Sequence, residues 1–445
     1  MPDLGELVRA AVDAAGGGEA VEAYAEESRH TEVRAHKGEV EGLEFAESRG
    51  VGVRLITGGR LGYAFAADPS AEEVHEAVAR ARENASVATE DEHNVLPGAQ
   101  PAEPLPSLFR ESLAATPTDR KVDIALELER VATSSNERVK KVDHTEIGDA
   151  VSRVAIASTA GVDAEYERTD CWAVVEALAE DGDETQAGWS FRVGRDLDEL
   201  GWRDVAAEAV ERAARMLGAT KPPSRKVPVV LDPFAASSFL GVLAGALSAE
   251  AVQKGRSLFA SLVGERVGSE LCTLVDDGRL LDGPAAAPFD DEGVPTGRTE
   301  LFSGGVLKGF LHNTLTAHRG ETMSTGNARR GGYKSPPDVG TSNFFLEPGT
   351  SPVADLLARA EGGVLIQDVS GVHSGANPIS GEFSVGATGL RIEDGALGAP
   401  LREMTVASTL PEMLAGIAAV GDDLRFFTSV GVPTILIAEM TVAGV

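Results

Sequence analysis

Apolar positions along this chain follow two periods. Leu4, Leu7, Val8, Ala11, Val12 and Ala15 recur at the spacing of one helical face. Asp3 stands before them with Glu6 three residues on, a reciprocal helix cap, and Gly16–Gly18 end the pattern. The period then falls to two. Ala20–Glu26, Glu39–Glu47, Gly50–Ile56 and Arg60–Ala66 read as strands, with Gly58-Gly59 as a tight hairpin. Ser70 and Glu73 open a second helix with Val74, Ala77, Val78 and Ala81 on one face. Asn94–Leu113 is rich in proline and reads as an extended connection. A helix follows from Thr118 to about Thr133. Val139–Ile147, Val151–Thr159, Val162–Thr169 and Trp172–Ala179 then alternate like antiparallel strands, and Leu197–Leu217 reads as a long amphipathic helix.

Gly218–Lys226 (GATKPPSRK) is the clearest linker, which divides the chain into domains at 1–217 and 227–445. Beyond it, Val227–Leu231 reads as a buried strand and Ala235–Val252 as a helix rich in small residues. Hairpins are expected over Leu301–Leu311 and Phe383–Gly398, the second turning at Glu393–Gly395. Ser351-Pro352 reads as an N-cap with proline at the first helical position. Leu410–Ala418 is helical and Pro433–Val442 a near-continuous apolar strand. The fold class expected is α+β in two domains: an N-terminal α/β domain with a mostly antiparallel sheet, and a C-terminal β-rich domain with helices.

Composition narrows the function. Seventy acidic residues against 40 basic give a net charge of −30. Duplex DNA is held largely by Lys and Arg on phosphates, so nucleic acid is not an expected partner. No apolar run approaches the ~20 residues of a membrane span. The start, MPDLGELVRA, has neither the basic nor the apolar region of a signal peptide, and two cysteines, Cys171 and Cys272, fit a reducing compartment. The cytoplasm is the expected location.

Ser324–Asn343 (STGNARRGGYKSPPDVGTSN) stands apart from this background. It has almost no large aliphatic residue, yet carries Thr325, Asn327, Arg329, Arg330 and Tyr333. Guanidiniums, an amide and a phenol are groups that grip a peptide or another chain. Alone, the stretch would read as a solvated loop. It lies, however, in an ordered set with Ala287–Arg298 (APFDDEGVPTGR), Gly304–Asn313 (GGVLKGFLHN), Gly381–Ala396 (GEFSVGATGLRIEDGA), Glu403–Thr405 and Val420–Asp423. The N-terminal half adds Gly50–Thr57 (GVGVRLIT) and Gly59–Phe65 (GRLGYAF). In this order and over nearly the whole length, the chain resembles the TldD/TldE (PmbA) family, once labelled modulators of DNA gyrase.

The resemblance implies a peptidase of two related subunits. The TldD-type subunit carries a His-Glu-x-x-x-His motif and a C-terminal Cys that hold zinc, with the Glu as general base. In this chain the matching window, set by its distance from Lys254–Phe259, is Leu240–Gly245 (LGVLAG), and Arg425–Ile437 has no Cys. Leu240, Gly241 and Gly245 replace the two histidines and the Glu, and none of them can bind a metal or move a proton. The chain therefore resembles the metal-free TldE/PmbA subunit, with no catalytic or metal-binding residue and no cofactor of its own. Zinc is expected in a TldD-like partner; the other candidate partner is a second copy of this chain. Thr325, Asn327, Arg329, Arg330, Tyr333 and His373 are the candidates for a peptide cleft or subunit interface.

Other groups read as less specific. His75-Glu76…Arg80 imitates a broken zinc motif but fits a solvated helix face. Asp290-Asp291-Glu292 could take a cation, although adjacent carboxylates on a turn are usually solvated. Asp368, His373, Ser374 and Ser384 supply the residue types of a serine hydrolase without its Gly-x-Ser-x-Gly elbow. A non-catalytic metallopeptidase subunit is thus the first expectation. A self-associating peptide-binding protein is the second, and an independent hydrolase the third.

Overall fold

A computed structural model describes residues 3–444. The first half is built on one antiparallel sheet: β1 (Ala20–His36), β2 (Glu39–Thr57), β3 (Arg60–Ala67), β4 (Val139–Ser158), β5 (Asp163–Asp181) and β6 (Glu184–Gly194), in the order β3-β2-β1-β4-β5-β6. Five helices accompany it: α1 (Leu4–Asp13), α2 (Ala71–Val87), a short α3 (Glu111–Ala114), α4 (Thr118–Ser134) and α5 (Trp202–Ala214). Both capping boxes read from the sequence are present, Asp3 with Glu6 and Ser70 with Glu73. Gly58 and Gly59, both at positive φ, make the two-residue turn between β2 and β3.

Period-two alternation decides what each face of this sheet meets. Val21, Ala23, Ala25, Val51, Val53 and Leu55 pack under α1 and α2. Val33, Ala35, Ile147 and Val175 pack under α4 and α5. All four helices thus lie on one face. The alternate residues, Glu22, Tyr24, Gly50, Gly52, Arg54 and Tyr63, point the other way.

Several strands are longer than their sequence signals. Glu39–Glu47 and Gly50–Ile56 are one strand, because the β1 pairing runs through Ser28↔Ser48 and Glu27↔Arg49 without interruption. The same holds for β4 and β5, which pair over nearly their whole lengths. The helix expected from Leu197 starts only at Trp202, because Gly201 sits at φ 63.

The second half carries β7 (Arg225–Leu231), β8 (Leu274–Asp277), β9 (Arg298–Ser303), β10 (Val306–Leu307), β11 (Ala328–Arg329), β12 (Asp338–Val339) and β13 (Phe344–Leu346). It continues with β14 (Val364–Ser370), β15 (Glu382–Glu393), β16 (Ala396–Thr409), β17 (Ile417–Val420), β18 (Arg425–Phe427), β19 (Val430–Val432) and β20 (Ile435–Ala443). One sheet runs β16-β15-β14-β7-β20-β17, and a further β16–β20 pairing closes it on itself. A second runs β10-β9-β8-β13-β19-β18. The helices are α6 (Pro233–Ala246), α7 (Ala249–Gln253), α8 (Thr314–Arg319), α9 (Val353–Arg359), α10 (Val372–Gly375) and α11 (Leu410–Ala415). The largest core, including Phe239, Leu243, Phe302, Phe344, Val406 and Ile435, fills the space between both sheets and α6.

Two local expectations shift. The helix read over Ala235–Val252 breaks where Ser248 accepts from the Ala251 N–H and caps α7. Pro352, not Ser351, is the N-cap of α9, since Ser351 bridges to Gly421 instead. The class is α+β as the sequence indicates. No helix among the described residues is long and apolar enough to cross a membrane.

Candidate functional site at the junction of the two halves

The polar segment Ser324–Asn343 is not a solvated loop. It threads between the halves, and Asn327, Ala328, Tyr333, Ser342 and Asn343 are buried. Its seat is the helix-free face of the first sheet. Glu22 on β1, Arg54 on β2 and Tyr63 on β3 are direct cross-strand neighbours there. Gly50 and Gly52 leave the gap that Tyr333 fills. A Cβ at Gly50 would stand 2.2 Å from the Tyr333 ring, and one at Gly52 would stand 2.4 Å from its carbonyl oxygen. The Tyr63 hydroxyl donates to that carbonyl at 2.8 Å, and Phe65 meets the Tyr333 ring edge-on at 6.1 Å.

Ion pairs tie the junction. Arg54, 4% exposed, reaches Glu22 at 2.5 Å and Glu292 at 2.6 Å. Glu292 also accepts the Thr314 N–H that opens α8, at 2.8 Å. The Arg330 side chain is wholly buried: it pairs with Glu22, donates to the Asp291 carbonyl at 3.0 Å and lies 4.9 Å from the Tyr24 ring centre. The expectation of a solvated Asp290-Asp291-Glu292 turn is therefore overturned. Asp290 and Glu292 are 0% exposed, because the segments around them offer N–H groups and guanidiniums. Asp290 accepts from the Glu292 and Val294 N–H groups at 3.0 Å and from Ala328 at 2.9 Å.

Burial sets the proton affinities here. Burial, and then Glu292, push Asp290 up to about 7, against the pull of its N–H donors. Burial also raises Glu292, but Arg54 and Thr314 outweigh it and hold the carboxyl below its usual range. Burial alone would lower Arg54, and the two carboxylates reverse that. Asp276 is raised by burial, offset by Ser342 and by Asn327, whose amide donates to it at 2.7 Å.

The sequence candidates separate. Thr325 accepts from the His312 N–H at 2.8 Å and donates to Asn327 at 2.7 Å. Asn327, Arg330 and Tyr333 are spent inside the junction. Arg329 donates to the Thr341 carbonyl at 3.1 Å, and its Nη2 is buried without a hydrogen-bond partner. His373 is exposed on α10, and no hydrogen bond, ion pair or ring contact joins it to the others among the described residues. Glu22 and Arg54 were missed, and Glu292 was read only as part of a solvated turn. The available signal was a lone arginine in the apolar run GVGVRLIT, at a strand position facing away from the helices.

The second region of interest is α6. Asp232 caps it through the Ala235 N–H at 2.9 Å and is itself held at 2.6 Å by Arg212 of α5. Leu240 points into the core at 1% exposure. Gly241 and Gly245 lie on the open face, with nothing within 4 Å of where a Cβ would stand. The decoy behaves as a helix surface: His75 and Glu76 are exposed, and Glu76 pairs with Arg80 at i,i+4.

Family models match in sequence along the chain. Residues 21–85 match PmbA/TldA metallopeptidase domain 1, 111–217 the central domain and 224–444 the C-terminal domain. The chain belongs to the PmbA/TldD family. Metalloprotease PmbA of Escherichia coli O157:H7 is 24% identical over 99% of this chain and 96% of its own length. The metalloprotease TldD homolog of Haemophilus influenzae is 28% identical over 90% and 88%. TldE from Thermococcus kodakarensis shares the fold, with TM-score 0.89, 24% identity and 99% coverage of each chain. A Thermotoga maritima protein put forward as a modulator of a DNA gyrase aligns with TM-score 0.90 at 27% identity over 98% of each. Within this family a zinc ion is implied, and the window at 240–245 does not fit it: a core leucine and two bare glycines supply no donor atom. No group of three or more His, Cys, Asp or Glu side chains is placed to hold a metal among the described residues.

Proposed function

We propose that this chain is the non-catalytic, TldE-like subunit of a heteromeric TldD/TldE-type zinc metallopeptidase that processes peptides. The observation that carries the reading is the exposed face of α6. It stands where the resemblance puts the catalytic motif, it has no ligand or base, and its glycines meet nothing within the chain. Glycine inside a helix costs roughly 0.5–1 kcal/mol relative to alanine. Neither glycine has a positive φ to justify that cost. Close approach of another chain or of an extended peptide backbone would justify it. Zinc and the general base come from the TldD-like partner, while this chain shapes the cleft. The cytoplasm is the proposed location, and duplex DNA is not a partner for a chain of charge −30.

Co-expression with a TldD-type subunit tests this. The expected results are a complex of the summed mass and peptide turnover by the pair alone, abolished by a chelator. Chelator-resistant hydrolysis by the isolated chain would refute the proposal. A self-associating peptide-binding protein is the alternative, marked by a stable homodimer that binds peptide and ignores the TldD-type subunit.

A further inference from the structure

The proline-rich connection after α2 builds a cavity that the metallopeptidase reading does not use. Residues 99–109 lie between the segments matched by the first and central family domains, 21–85 and 111–217. They arch over the start of β5 and the Pro288-Phe289 corner, enclosing about 700 Å³. That volume suits a small organic ligand or one large side chain.

The lining defines the ligand. Pro101, Pro104, Leu105 and Phe109 form apolar walls on the connection. Opposite them Tyr166 and Phe289 meet edge to face, with ring centres 5.1 Å apart. Three carboxylates, Asp163, Glu165 and Glu167, line the cavity, and no Lys, Arg or His does. Arg9 neutralises Asp163, and Arg153 neutralises Glu167. Glu165 has no ion pair among the described residues and feels the Arg9 guanidinium only at longer range. The Tyr166 hydroxyl makes no hydrogen bond among the described residues and is a protonated donor at neutral pH, as any phenol is; burial pushes it up to about 12. Anions are repelled from such a site. A cation gains the Glu165 carboxylate, and an apolar body gains contact with the two aromatic rings.

We propose that this cavity binds an apolar or aromatic ligand carrying one positive charge, with its ammonium or guanidinium group against Glu165 and its body between the prolines and the Tyr166–Phe289 pair. Neither α6 nor a partner subunit is involved, so failure here leaves the metallopeptidase reading untouched.

Calorimetry on the full chain at about 0.15 M salt, where surface attraction is largely screened, tests it with three probes of one shape: 2-phenylethylammonium, 2-phenylethanol and 3-phenylpropionate. The amine is expected to bind saturably at one site, the alcohol more weakly and the carboxylate not at all. Glu165→Gln should weaken the amine about tenfold, as for a lost charge-assisted contact, and leave the alcohol unchanged. Ala102→Trp, which fills the cavity from the connection, should remove both. Glu92→Gln, an exposed acid elsewhere, controls for the overall negative charge. Amine binding that is unsaturable, equal to carboxylate binding, or lowered as much by Glu92→Gln as by Glu165→Gln would overturn the proposal. Glu165→Gln replaces an exposed residue, so the test does not depend on whether the tryptophan variant folds.

Discussion

Beneath Tyr333, glycine makes room for something the chain itself supplies; on α6 it makes room for nothing the chain contains. The Gly50 and Gly52 positions are crossed by Tyr333 and Tyr63 at 2.0–2.4 Å from any added Cβ, whereas Gly241 and Gly245 face empty space. Charge divides the same way. The junction packs Glu22, Arg54, Asp290, Glu292 and Arg330 out of contact with water, while the exposed side of α6 carries no ionisable group between Phe234 and Ala246. Polar density in this chain marks where its two halves are locked together. Bareness marks the exposed face of α6, where the proposed function places a partner or a peptide.

The sharpest way to break the comparison is to break the lock. Arg54→Ala would leave Glu22 and Glu292 buried, each with one guanidinium fewer. Removing one member of a buried ion network costs about 3–5 kcal/mol, and urea unfolding should show a loss of that order. Arg330→Ala should come close to it, because this side chain is fully buried against Glu22. Arg329→Ala should cost less, because its guanidinium makes no ion pair among the described residues and acts on the buried Asp290, Asp291 and Asp276 only by its charge. The two adjacent arginines, alike in sequence, therefore divide into one paired with Glu22 and one that donates only to backbone carbonyls. An Arg54→Ala chain as stable as the parent would remove the junction from the account.

A smaller loss is expected from Gly50→Ala. The new methyl would overlap the Tyr333 ring, and overpacking of this kind costs about 1–3 kcal/mol. The measurement is the same unfolding curve, and the Tyr333→Ala/Gly50→Ala pair should recover part of the loss if the overlap is the cause.

On α6 the sign reverses. Gly241→Ala should raise stability by roughly 0.5–1 kcal/mol, and Gly245→Ala, nearer the helix end, by less. If that face meets a partner or a peptide, the same methyl groups should weaken assembly with the TldD-type subunit or slow peptide turnover. Greater stability with unchanged assembly and turnover would show that the bare face serves nothing.

Where the sequence was legible, the signal was local. The caps at Asp3 and Ser70 and the Gly58-Gly59 hairpin each depend on residues within a few positions, and each is present. The boundaries that shifted depend on distant pairing. Ser48-Arg49 looks like a strand break until β1 carries the ladder through it. The junction was legible only in pieces. The segments Gly50–Thr57, Ala287–Arg298 and Ser324–Asn343 all stood out, but nothing in one sequence says that an arginine at 54 meets a glutamate at 292. Three adjacent carboxylates read as solvated because the guanidiniums and N–H groups that satisfy them come from elsewhere in the chain.

The smallest effect expected lies at the edge of the lock, at His312. Its carbonyl takes the Ser324 hydroxyl and the Thr325 N–H, and its Nδ1 is buried without a partner. Burial holds its proton affinity below the ordinary value of 6.5. The folded chain thus favours neutral imidazole where the unfolded chain already binds a proton. This contribution is fully present above about pH 6.5 and is lost as the pH falls below it. Between pH 7.5 and 5.5 the parent should lose about 1 kcal/mol or less beyond what His312→Gln loses. Comparing the two pH slopes cancels the carboxylates common to both chains. A steeper slope in the variant would mean that the imidazole is charged in the fold and is held by a contact the junction does not show. Equal slopes would place His312 outside the energetics of the lock, with only its backbone serving Ser324 and Thr325.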